Sequence, residues 1–142
     1  GLVGSEMCIR DSYDYGEGFS QENSILIHDC FTEEKDVHFT VDVPKGVKQI
    51  RIDPCSYRCA VTVKDIAAGE QHFAKDNMTV NGVWVNENCV IFDTEDPNLV
   101  FACEGADRLD VTLEVAELPK SLTATLIEAV TPKGNGLKRF FH

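Results

Sequence analysis

Polar and apolar residues alternate with a period of two through much of the chain. Residues 36–43 read Asp-Val-His-Phe-Thr-Val-Asp-Val, which puts Val37, Phe39, Val41 and Val43 on one face of an extended segment. Residues 109–115 repeat the pattern, and residues 50–53 and 61–64 carry shorter versions of it. Residues 24–28, 89–92 and 99–102 are short apolar runs rich in β-formers, which predicts more enclosed strands. Turn-forming residues fall between these runs: Pro44-Lys45-Gly46, Ala67-Ala68-Gly69 and Asn81-Gly82. Asp53-Pro54 marks a strand end and Asp96-Pro97 a strand start, because proline has no N–H to give to a ladder. Eight or nine short strands at this spacing predict an all-β fold, an antiparallel β-sandwich of jelly-roll type.

After Pro119 the period changes. Leu122, Leu126 and Val130 fall four residues apart, on one face of a short C-terminal helix. Ser121 is the expected cap and Pro132 the expected stop. Residues 133–136 then read as linker, and residues 119–142 together as a helix and linker toward a following domain.

Composition narrows the function. The chain has 142 residues, with 13 Lys+Arg against 24 Asp+Glu and a formal net charge of −11. Such an acidic balance argues against nucleic acid and anionic lipid as partners, since both need a basic face. Hydrophobic residues make up 43%, enough to bury a core. No apolar run approaches the roughly 18–20 residues of a membrane span.

Residues 2–11, Leu-Val-Gly-Ser-Glu-Met-Cys-Ile-Arg-Asp, resemble without a gap one translated reading frame of a transposase sequencing adapter. On that reading residues 1–12 are not native, and the native β-sandwich runs over residues 13–118 of a longer protein. Removing residues 1–12 leaves five of the six cysteines. An odd count spread over strands suits a reducing, cytoplasmic setting better than a secreted disulfide framework.

Several constellations could carry chemistry. Asp14, Glu17 and Glu22 lie in a glycine-bearing acidic loop, a candidate oxygen-ligand site for calcium. Tyr13 and Tyr15 occupy positions where an EF-hand would need carboxylates, so the loop is not one. Cys55 and Cys59, with His28 and Cys30, offer soft ligands for zinc, although buried free thiols account for them more simply. Trp84, among Asn81, Asn86 and Asn88, and Tyr57, inside the Cys55–Cys59 turn, are candidates for stacking on a sugar ring. Packing is the commoner use of such rings. No Gly-x-Ser-x-Gly elbow occurs, and the four histidines (28, 38, 72, 142) are scattered. His28 and His38 are expected to face solvent.

Four stretches occur in a telling order. They are Asp14-x-Gly16-x-Gly18-Phe19-Ser20-x-Glu22-x-Ser24, Ile50-Arg51-Ile52-Asp53-Pro54, Asn81-Gly82 and Phe92-x-Thr94-x-Asp96-Pro97. As a set this resembles the accessory β-sandwich segment of large bacterial glycosyltransferases of the family 2 and rhamnan-synthesis types, over residues 13–118. The resemblance implies a carbohydrate-binding-like sandwich that serves a catalytic nucleotide-sugar domain of the same chain. It carries over no catalytic residue, because no Asp-x-Asp motif is present. The expectation is a non-catalytic, cytoplasmic module of a protein that builds surface polysaccharide. It would hold no obligatory cofactor, and would position the catalytic domain or an acceptor glycan. The alternative is a free-standing or secreted carbohydrate-binding or adhesion module.

Overall fold

The computed structural model describes residues 9–27 and 36–130. Among the described residues, eleven strands and one α-helix follow in order. They are β1 (Ile9–Asp14), β2 (Ser24–Ile27), β3 (Asp36–Asp42), β4 (Gln49–Asp53), β5 (Cys59–Ala68), β6 (Gln71–His72), β7 (Met78–Val80), β8 (Val83–Trp84), β9 (Cys89–Phe92), β10 (Leu99–Ala102), β11 (Arg108–Glu117) and α1 (Lys120–Val130). One sheet has the order β2-β1-β4-β10-β7 and the other β3-β11-β5-β9-β8, with β6 pairing on β5. Every pairing is antiparallel. From β3 to β5, and again from β9 to β11, consecutive strands alternate between the sheets. The result is the expected antiparallel β-sandwich.

The two-residue alternation does its work on the inner faces. Val37, Phe39 and Val41 of β3 lie buried, as do Leu109, Val111 and Leu113 of β11. The facing sheet supplies Ile50 and Ile52 of β4 and Leu99 and Phe101 of β10. The Phe73 ring meets Phe101 at 4.8 Å between centroids, joining the β6–β7 connection to this core. In β5 the alternation changes phase. Val61 and Val63 point inward, Lys64 and Asp65 are both exposed, and Ile66 is buried again. A bulge causes this: Thr112 of β11 sits opposite Asp65, and the next residue, Leu113, opposite Val63.

Three local expectations need correction. Residues 24–28 were expected to be enclosed, yet β2 ends its sheet, and Ile25 and Leu26 are 42% and 48% exposed. The helix does not bury Leu122, Leu126 and Val130 as one stripe. Thr123 is its fully buried residue, while Leu122 and Val130 stay exposed and Leu126 and Ile127 are half-buried. Ser121 lies inside the helix instead of capping it. The Pro119 carbonyl accepts both the Thr123 amide (3.0 Å) and the Thr123 hydroxyl (2.8 Å), and this turns the buried face toward Thr123.

Strand β1 starts at Ile9, ahead of residue 13. Ile9, Arg10, Asp11 and Ser12 make up four of the six residues of β1, between β2 and β4. Their fit is uneven. Ile9 is fully buried, but Asp11 faces the same core and neither of its carboxyl oxygens has a hydrogen-bond partner. Among the described residues no helix is long and apolar enough to cross a membrane. His28, Cys30, Pro132 and the linker at 133–136 lie outside the described residues.

Candidate functional site

Two of the four motif stretches, the loop after β1 and strand β4, meet on the outward side of the five-stranded sheet. Residues 14–20 form the loop that leaves β1. Asp14 shapes it: its Oδ1 accepts the amide N–H groups of Gly16 (2.7 Å) and Gly18 (2.8 Å). These hydrogen bonds hold the Asp14 carboxyl below its ordinary range. Gly16 and Gly18 take φ of 113° and 94°, which side-chain-bearing residues rarely adopt. The loop returns Phe19 beside the sheet, where the Arg51 guanidinium lies 5.4 Å from the ring centroid.

Arg51 stands on β4 two residues from Asp53, so both side chains leave the same face of the strand. Their fork is bidentate: Nε to Oδ1 at 3.0 Å and Nη2 to Oδ2 at 3.2 Å. Asp53 is largely enclosed, and burial pushes its carboxyl above the usual range despite the guanidinium. The charge of Asp96 pushes the same way. On β1, Arg10 donates to Ser24 Oγ at 2.9 Å. Together Arg10, Ser12, Phe19, Ser20, Arg51 and Asp53 line an open cleft of about 270 Å³. The Ser12 hydroxyl is buried there without a partner.

The other two motifs brace the neighbouring loop. Asn81 Nδ2 donates to the Asp96 carbonyl (2.8 Å), and its Oδ1 accepts the Asn98 amide (2.9 Å). The Asp96 amide donates to Thr94 Oγ1 at 3.1 Å. Gly82 is required for a different reason from a turn angle. A Cβ there would stand 2.6 Å from the Ile91 carbonyl oxygen and 2.8 Å from the Phe92 ring. Asn81-Gly82 thus locks the β7–β8 connection to β9 and to the 94–98 loop.

The remaining candidates disperse. Asp14 serves its loop, Glu17 and Glu22 are exposed, and the structure does not gather the three into a calcium site. Among the described residues no group of three His, Cys, Asp or Glu side chains could hold a metal ion. Trp84 and Tyr57 are half-buried and pack against the core, which leaves only part of each ring for a ligand. His38 is exposed as expected, with Nδ1 2.9 Å from Thr112 Oγ1 and Nε2 3.5 Å from Asp110. His72 Nδ1 lies 2.8 Å from Asp65. Both histidines belong to the six-stranded sheet, away from the Arg51 cleft. Arg10 and Ser12 of the cleft were not singled out in the sequence, because they fall in the adapter-like stretch.

The cleft is polar, open and smaller than the roughly 300–1,000 Å³ of an enclosed small-molecule site. It offers paired charges and one aromatic edge. That chemistry suits contact with a polar surface or a sugar edge. Comparison of the chain with protein-family models, with curated proteins and with solved structures gives no match.

Proposed function

We propose that this chain is a non-catalytic β-sandwich module of a bacterial glycosyltransferase that builds surface polysaccharide. In this reading it works in the cytoplasm and positions the catalytic domain of the same protein or its acceptor glycan. One observation carries the reading. The motifs on which the resemblance rests are far apart in sequence, yet they meet in pairs, the first with the second and the third with the fourth. Phe19 lies against Arg51 and Arg51 holds Asp53, while Asn81 holds the Asp96 loop.

The assembly supports docking more than catalysis. Its central charges are already paired inside the module, with Arg51 on Asp53. Such paired groups keep a fixed shape and present it to a partner at low entropic cost. The complete reading frame of the gene tests the proposal. A nucleotide-sugar transferase domain with an Asp-x-Asp motif in the same frame is the expected result; a frame without one overturns it. In that full-length protein Arg51→Ala should lower polymer output severalfold and leave sugar-nucleotide binding unchanged.

A further inference from the structure

Cys55 and Cys59 stand where the chain crosses from one sheet to the other. Cys55 follows the Asp53-Pro54 end of β4, and Cys59 opens β5. Their sulfurs are 3.1 Å apart. Cys59 is fully buried, opposite Phe92 on one side and Glu117 on the other, and Cys55 keeps 7% of its surface exposed. The turn between them is short, with exposed Ser56 at its tip. Two thiols so placed share one proton readily and can join with little backbone movement.

The geometry points to a thiol–disulfide exchange site that takes small, low-molecular-weight disulfides, with Cys55 as the attacking thiol and Cys59 as the resolving one. The two thiols are not equivalent. Contact with the Cys59 thiol lowers the Cys55 thiol from its ordinary value, and burial opposes that only in part. Cys59 is pushed up by its contact with Cys55 and by burial. Exposure has the same order: both residues are buried, Cys59 completely and Cys55 all but 7%.

The steps balance. The Cys55 thiolate attacks one sulfur of a disulfide RSSR, a new S–S bond forms, and RS⁻ leaves. The departing thiolate takes the Cys59 proton. Cys59 then attacks the Cys55 sulfur, and the second RS⁻ leaves and is protonated by solvent. Two electrons pass from the dithiol to RSSR, giving one protein disulfide and two RSH. The new bond staples β4 to β5 at the corner backed by Glu117, the last residue of β11 before α1.

The probe is glutathione disulfide, added in excess to the full chain, followed by alkylation and peptide mapping. The expected product is a Cys55–Cys59 disulfide, with a mass loss of two hydrogens and no retained glutathione. Cys103 serves as the internal control: it is buried, and burial raises its thiol to about 11. Cys55 should react about tenfold faster than Cys103 or more. Cys59→Ala should stop at a stable glutathione adduct on Cys55. Cys55→Ala should leave Cys59 alkylatable. Wild-type protein that keeps both thiols, or that holds glutathione on both cysteines, overturns the site. So does reaction at Cys103 as fast as at Cys55. The wild-type map decides the matter even where a variant fails to fold.

Discussion

Asp11 offers the sharpest test of the packing. It lies on the inner face of β1, level with Ile52, and no hydrogen-bond partner meets either carboxyl oxygen. The nearby Tyr13 side chain offsets only part of the burial, and the carboxyl rises from 3.8 to about 7. A folded-state value above the unfolded one means that the native state holds the proton more tightly. Stability therefore falls as pH rises from 3.8 through about 7. At about 1.4 kcal/mol per pH unit, the loss across that window is about 4 kcal/mol. Asp11→Leu removes the ionisation and should recover most of this at pH 8. Below pH 3.8 both forms are neutral, and the gain should shrink to about 1–3 kcal/mol for the unpaired polar group. Urea unfolding of both proteins from pH 3.5 to 8 gives the difference curve, in which the other carboxylates cancel. A flat difference curve, or a gain larger in acid than at pH 8, would refute the placement of this carboxyl in the core.

Four further outcomes follow from the structure. Gly82→Ala must displace the Ile91 backbone or the Phe92 ring, and should cost about 1–3 kcal/mol in chemical denaturation. Arg51→Met should raise the Asp53 carboxyl further, so its deficit against wild type should grow from acid to neutral pH; a deficit constant with pH would count against the Arg51–Asp53 fork. Leu26→Lys on the exposed edge strand should change stability by less than about 0.5 kcal/mol and slow aggregation measured by light scattering. Trp84→Ala should not alter glycan-array binding if the sandwich docks on protein, whereas loss of a glycan signal would favour the carbohydrate-binding alternative.

The sheets were legible where one face is buried and the other wet. β3 and β11 show this best, since their alternation maps residue for residue onto the core. β5 was only half legible, because its bulge spends Lys64 and Asp65 together and makes a ten-residue strand look like two fragments. β2 misled for the opposite reason. Its apolar run predicts enclosure, but an edge position leaves such residues in water, and the pairing order reveals the edge. β7 and β8 are three and two residues long, too short for any period to show. Of the site, the alternation of residues 50–53 places Arg51 and Asp53 on one strand face, but their pairing with each other, in place of an acid across the sheet, is not encoded there. That Phe19 and the Asp96 loop would reach them depends on loop paths fixed by Asp14 and Asn81, which no local pattern encodes.

The pairing of β3 with β11 sets an order of events for a chain leaving the ribosome. Among the described residues Val37 pairs with Leu113, and β5 pairs with β11 along most of its length. The six-stranded sheet therefore cannot close until almost all of the sandwich has been synthesised. Until then β3 and β5 hold half-covered apolar faces, a window in which they depend on holding factors or on speed. Such late, long-range closure places folding among the slower, millisecond-to-second cases.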